Sequence, residues 1–343
     1  MIGIGIIGYG YWGPNLARVS AEAAGARLVA IADAAPQALA RAARRHGTAR
    51  LADDWRSVVD DPAVDLVMVA TPVRTQYEIA LAALRAGKHV LVEKPMAETA
   101  AQAMTLVEEA ARRSLVLMVD HTFIYTPAVQ RIRSLVQEGA IGELYYYDST
   151  RINLGLFQRD VNVVWDLAVH DLAILDHLMG ESPVAVSANG ADAMGRRHEN
   201  MAHVTLYYSG GAMAHLNVNW LAPVKVRRTL IGGSKRMIVY DDLEPDEKVK
   251  IYDRGVSFDA SDDDRYQRLV SYRMGDMWAP RLPLTEALAT EVEHLIACIA
   301  DGAKPITSGE MGVRVVEVLE GATASLSRRG VPVDLVQPLR RAS

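Results

Sequence analysis

The 343-residue sequence predicts an α/β protein in two parts, a doubly wound parallel sheet followed by an α+β domain with a large, mostly antiparallel sheet. Two patterns carry that prediction. From residue 2 to about residue 120, short and almost continuous apolar runs alternate with helical segments, as when helices cover both faces of a parallel sheet. Beyond residue 140 the runs alternate apolar and polar residues, the mark of strands with one buried face.

In the first part the predicted strands are Ile2–Ile7, Arg27–Asp33, Asp65–Ala70, His89–Glu93 and Leu115–Asp120, with a brief one at Ala49–Leu51. The helices between them have legible ends. Pro36 opens one that Gly47 closes, and Arg74 to Ala86 forms another that Gly87 stops. Such βαβ units cross over right-handed. In the second part the strands are Glu143–Asn153, Met201–Tyr208, Ala212–Trp220 and Lys225–Ile231, with Ser209-Gly210-Gly211 turning between the middle two. Two closing helices, 284–301 and 309–328, end at Gly302 and Gly330. The expected domains are 1–122 and 123–343.

Two G-x-G-x-x-G matches overlap at the start, Gly3/Gly5/Gly8 and Gly8/Gly10/Gly13. The first leaves only Met1 and Ile2 as its strand and puts Ile6 and Ile7 in a turn. The second follows a full strand and opens a helix at Asn15, the context of a dinucleotide-binding Rossmann turn. Gly8 permits the turn, Gly10 lets the backbone approach a pyrophosphate, and Gly13 allows close helix packing. Tyr9, Tyr11 and Trp12 fill the same loop, and the helix start offers amides and a favourable dipole. Asp33 ends the second strand 20 residues after Gly13, where a carboxylate accepts ribose hydroxyls and repels a 2′-phosphate. NAD is therefore expected over NADP, unless Arg41 or Arg44 reaches across. Two other strand ends, Thr71-Pro72 and Glu93-Lys94-Pro95, point into the crevice where such sheets bind ligands.

A net charge of −5 and a pI near 6.0 give no electrostatic reason to expect nucleic acid or an anionic membrane as partner. Arg41, Arg44 and Arg45 read as a solvated helix face. The lone cysteine, Cys298, excludes an intrachain disulfide and points to a reducing compartment. The N-terminus enters a strand without a basic leader, and no apolar run is long enough to span a membrane, so a cytoplasmic protein is expected.

Three segments resemble the glucose–fructose oxidoreductase and inositol dehydrogenase (Gfo/Idh/MocA) family: GYGYWGPN at 8–15, ATPVRTQYEIALAALRAGKHVLVEKPMA at 70–97 and WDLAVHDLAILDHLMG at 165–180. The sequence departs from the family at Gln76, where many relatives carry His, and at Ala168-Val169-His170, which replaces a glycine-rich approach. That variant resembles members acting on nucleotide-linked or amino sugars. The resemblance implies an oligomer, dimer or tetramer, formed through the open face of the second sheet. It also implies that Gln76, Glu93 and Pro95 belong to the cofactor site and that Tyr125, Arg151 and Asn153 line the substrate pocket.

Oxidising a carbinol needs a base for the hydroxyl proton and a positive group for the developing alkoxide. Lys94, at a parallel strand's end in the EKP element, suits the second role, against the ordinary reading of a surface lysine. Asp166 and His170 are four apart and share a helix face; His170 suits the acid/base and Asp166 its partner and a substrate binder. The competing reading is a solvent-face pair or a core histidine. Asp171, Asp176 and His177 on the same helix raise a metal site, but lack ligand spacing, and no metal is expected. His121 suits either a cofactor contact or a structural role. Tyr145-Tyr146-Tyr147 reads as sheet packing, and His203 and His215 follow strand alternation. The implied activity is hydride transfer between NAD and a ring hydroxyl or keto group of a sugar, nucleotide sugar or cyclitol. Two alternatives stand beside it. One is a non-catalytic NAD-binding regulator; the other is a reductase of a non-sugar carbonyl or imine, which an apolar pocket around Tyr125 and Phe157 would favour.

Overall fold

The structure, a computed structural model, describes residues 1–155, 160–195, 197–258 and 270–335; Phe157 lies outside them. The chain divides into two units, Met1–Thr126 with Thr285–Glu320, and Pro127–Leu284 with Gly321–Ser343.

The first unit begins β1 (Ile2–Ile7), α1 (Gly13–Glu22), β2 (Ala26–Ala32), α2 (Pro36–Arg45), β3 (Arg50–Ala52) and α3 (Arg56–Val59). It continues β4 (Leu66–Val69), α4 (Val73–Arg85), β5 (His89–Glu93), α5 (Ala100–Arg112) and β6 (Leu117–Asp120), then a 3₁₀ turn at Thr122–Tyr125. The six strands are all parallel in the order β3-β2-β1-β4-β5-β6. The order reverses between β1 and β4, which opens a crevice beyond their carboxyl ends. Ile4, Ile6, Leu66, Met68 and Leu91 are all but completely buried, as their unbroken apolar runs require. Each such side chain contributes roughly 1.5–3 kcal/mol. β6 starts two residues later than expected because Leu115 is used to end α5: its amide donates to Ala110 O after Ser114 turns left-handed (φ 56°).

The second unit holds α6 (Pro127–Gln137), β7 (Leu144–Leu154), a π-helical turn (Val164–Ala168) running into α7 (Val169–Met179), β8 (Ala185–Ala191), β9 (Met201–Tyr207) and β10 (Met213–Asn219). Then come β11 (Leu221–Gly233), β12 (Met237–Asp241), β13 (Val249–Phe258) and β14 (Val270–Trp278). With β15 (Val333–Asp334), they form one sheet in the order β14-β13-β12-β11-β7-β10-β9-β8-β15. Among the described strands of this sheet, only β7 and β10 pair parallel. β11 is longer than Lys225–Ile231 because it resumes on the far side of an irregular stretch containing Pro223, a residue unable to donate to the ladder. Along β7, Tyr147, Ser149 and Arg151 are buried on one face.

The expected boundary at 122/123 misses a return of the chain. α8 (Ala287–Asp301) and the first part of α9 (Gly309–Ser327) belong to the first unit. α8 buries Leu288, Val292, Leu295 and Cys298 there, and Gly309 and Gly312 of α9 pack against Leu117, Val119 and Met96. Periodicity shows an apolar helix stripe but not which core it covers. Among the described residues no helix is long and apolar enough to cross a membrane.

Candidate active site

The glycine loop and the ends of β1, β2 and β4 border a cleft of about 320 Å³, lined by Gly8, Gly10, Asp33, Asp53, Trp55, Thr71, Pro72 and Glu78. Gly8 turns left-handed (φ 97°), and a Cβ there would lie 2.5 Å from Ala70 O. A Cβ on Gly13 would lie 2.0 Å from Gly8 O, so only glycine lets α1 start against the loop. Gly10 lines the cleft, and a Cβ on it would meet open space, with no atom beyond its chain neighbours within 4 Å among the described residues, which leaves the backbone free to approach a ligand. No side chain caps the start of α1, and a pyrophosphate suits that end. The residues present thus fit a dinucleotide. α1 begins at Gly13, not Asn15, because Pro14 is preset for a first helical turn.

Asp33 lies just past β2, with Oδ2 accepting from Tyr9 N at 2.6 Å and Oδ1 from Ala35 N at 2.8 Å. Arg41 Nη2 donates to Tyr9 O at 3.0 Å, on the same loop. The Tyr9 side chain is buried against His46, whereas Tyr11 is 87% exposed. Trp12 Nε1 donates to Asp120 Oδ2 at 2.5 Å, which ties the loop to the end of β6. Gln76 is buried, and its Nε2 donates to Thr71 O at 3.0 Å; it supports the Thr71-Pro72 turn rather than lining the cleft.

Lys94 follows β5, half-buried, its amide held by Glu93 Oε2 at 2.9 Å and its bond to Pro95 cis. His121, one residue past β6, is 2% exposed, and neither ring nitrogen has a hydrogen-bond partner among the described residues. Burial, reinforced by the Lys94 charge, pushes its imidazole down to about 3, so the ring is neutral. An unsatisfied buried imidazole at a strand's carboxyl end suits a polar ligand group. A larger cleft of about 400 Å³ lies at the opposite end of β5, by His89; there Lys304 pairs with Glu310 and His89 Nδ1 accepts from Val116 N.

In the second unit Asn162 Oδ1 accepts from the Val164 and Trp165 amides and starts the π-helical turn. Asp166 sits in that turn and His170 in α7, so the spacing of four spans a wider winding than an ideal α-helix. Both are half-buried. Trp220 Nε1 donates to Asp166 Oδ2 at 2.9 Å, and Gly155 makes room for that indole. Asp171 faces the sheet and pairs with Arg151, Nε–Oδ2 2.6 Å and Nη2–Oδ1 3.2 Å.

Two expected substrate residues therefore have other tasks. Arg151 is buried and spends its fork on Asp171, which fixes α7 on β7. Tyr125 is 3% exposed, its hydroxyl 3.3 Å from Thr307 Oγ1 and its ring against His294, inside the first unit. Asn153 remains half-buried on β7. His177 is half-buried, and burial, with Arg133 nearby, lowers it to about 4. Trp220 and Asp120 went unnoticed in the sequence; a carboxylate closing the apolar run of β6 was the one visible signal.

Residues 2–121 match the oxidoreductase family with the NAD-binding Rossmann fold, Gfo/Idh/MocA, and residues 129–239 match its C-terminal domain. The chain belongs to the Gfo/Idh/MocA family. This Gfo/Idh/MocA protein is 27% identical to the inositol 2-dehydrogenase of Rhizobium meliloti over 95% of this chain and 97% of that one. It is 32% identical to the levoglucosan dehydrogenase of Pseudarthrobacter phenanthrenivorans, over 57% of this chain and 58% of that one. The solved structure of a UDP-N-acetylglucosamine 3-dehydrogenase from Acidithiobacillus ferrooxidans is 27% identical, with a TM-score of 0.79 over 95% of this chain and 99% of that one.

Proposed function

We propose that this oxidoreductase moves a hydride reversibly between NAD and a ring carbinol of a sugar, nucleotide sugar or cyclitol, with Lys94 and His170 serving the reacting oxygen. The observation that carries the reading is Lys94 at the carboxyl end of β5, in a unit whose glycine loop fits a dinucleotide. The bound cofactor would supply the hydride acceptor. His170 takes the hydroxyl proton, the Lys94 ammonium stabilises negative charge on the oxygen, and Asp166, held by Trp220, orients the substrate or the imidazole. Asn153 is the remaining candidate for a substrate hydroxyl. The relatives' names span a cyclitol, an anhydrosugar and a nucleotide sugar, which sets the panel to test. With NAD present, at least one member of such a panel is expected to raise the near-UV absorbance of reduced cofactor. A panel with no response would overturn the proposal.

We assign NAD rather than NADP to Asp33, with Asp53 and Glu78 adding to an acidic cleft. Asp33→Ser removes the ribose acceptor and leaves Arg41 beside the loop. It is expected to weaken NADH by about tenfold and to strengthen NADPH, since a charge-assisted hydrogen bond is worth about 1.5–3 kcal/mol. Fluorescence titration with both cofactors decides, and an unchanged preference would count against Asp33. One sheet face exposes Tyr146, Met213 and Tyr207 side by side across β7, β10 and β9, a patch suited to pairing copies of the chain. A solution mass of one chain would refute that assembly. Buried Cys298 and the absence of any other cysteine favour the cytoplasm, which fractionation of the native host would check.

A further inference from the structure

Asp120 and Glu291 form a buried carboxyl pair that the proposed reaction does not use. Asp120 is 2% exposed and Glu291, in the middle of α8, is fully buried. Asp120 is anchored by two donors, Trp12 Nε1 on Oδ2 and Thr122 Oγ1 on Oδ1, each at 2.5 Å. Glu291 lies against Asp120 and Thr122, yet neither of its oxygens makes a well-formed hydrogen bond among the described residues.

Among the described residues, charged and titratable groups act on the pair from two neighbouring elements. Glu93 and Lys94 act on it from the end of β5, and Tyr125 from the 3₁₀ turn. His121 follows Asp120 directly and is neutral, and burial keeps Tyr125 in its phenol form. Among the described residues Lys94 is thus the cation that faces as many as three carboxylates. Two touching carboxyls in such surroundings do not both ionise. Burial raises Asp120 as well, but its Thr122 and Trp12 donors and Lys94 oppose that rise, so of the two it is the better place for the charge. Burial and the Asp120 carboxylate push Glu291 well above the ordinary carboxylate range.

We propose that Glu291 is a positioning residue that holds a proton toward Asp120, and that the singly charged pair fixes the Trp12 indole and with it the glycine loop. The second half rests on the cofactor reading above; the first does not. A raised folded-state value means that the stability Glu291 confers is complete below the unfolded value and falls as pH rises through it. The unfolded glutamate ionises near about pH 4.3, so above that the contribution of Glu291 to the folding constant falls by about tenfold per pH unit until the pair itself titrates. Glu291→Gln carries no such proton.

Urea unfolding of the cofactor-free protein between about pH 5 and pH 8 reads this directly. The advantage of Glu291→Gln over wild type is expected to grow with pH. Equal pH slopes for the two proteins would overturn the shared proton, whereas a merely structural carboxyl would shift stability by the same amount at every pH. NADH titration reads the positioning. Glu291→Ala and Asp120→Ala are each expected to bind about tenfold more weakly than wild type, and Glu291→Gln, which keeps a donor toward Asp120, to regain most of that affinity. Trp12→Phe, which keeps both carboxyls but removes the Nε1 donor, is expected to weaken binding in the same direction. Wild-type affinity in both Asp120→Ala and Trp12→Phe would overturn the positioning role. Failure of the wild type itself to bind NADH would sink the cofactor reading and the positioning half with it, while the unfolding series still decides the proton.

Discussion

Replacing Lys94 by Met or His170 by Ala is expected to lower turnover by about 10²–10⁴-fold while leaving NADH affinity within about threefold of wild type. The reasoning differs for each. Met preserves the length and apolar stem of Lys94 and the backbone bond to Glu93, so the variant loses little but the ammonium. His170 is half-buried on the less enclosed side of α7, so truncation removes the proton acceptor without opening the core. Steady-state rates on the best substrate of the panel, with NADH titrations alongside, test both. Retained activity in both variants would remove them from the mechanism, and a parallel loss of NADH binding would mean that the cofactor site itself was damaged.

The second large effect is on stability. Arg151→Met is expected to destabilise the protein by about 3–5 kcal/mol, because it strands the Asp171 carboxylate where water cannot reach it. Both side chains are about 5% exposed or less, and the guanidinium is bidentate. Arg151→Met with Asp171→Leu is expected to recover most of the loss, since replacing a buried pair with apolar side chains is often neutral. Urea midpoints decide this. A single Arg151→Met variant as stable as wild type would show that the pair does not hold α7. If Arg151 instead bound substrate, the single variant would stay stable and its KM would rise.

Much of the first unit was legible from its residues. Unbroken apolar strands, helix-closing glycines and the second glycine register each map onto an element, and Asp33 stands at the predicted strand end. The family resemblance put Arg151 and Tyr125 in a substrate pocket without showing their partners. Arg151 and Tyr125 are the side chains that bind ligands on an open strand or loop, and here each is turned inward to Asp171 or Thr307. The Asp166–His170 spacing assumed an α-helix where Asn162 begins a π-helical turn.

By itself the sequence determined the six strands of the first unit, four strands of the second sheet (β7, β9, β10 and β11), where the glycine loop must bend, and where Asp33 and Lys94 emerge, because those depend on residue types at short range; β8 and β12 to β15 became visible only in the sheet. Only the tertiary structure decided that α8 returns to the first unit, that Asp120 receives Trp12 across a separation of 108 residues, and that Glu291 lies in its core. Burial and pairing of charge depend on which distant surfaces close over a side chain, and no local pattern encodes that.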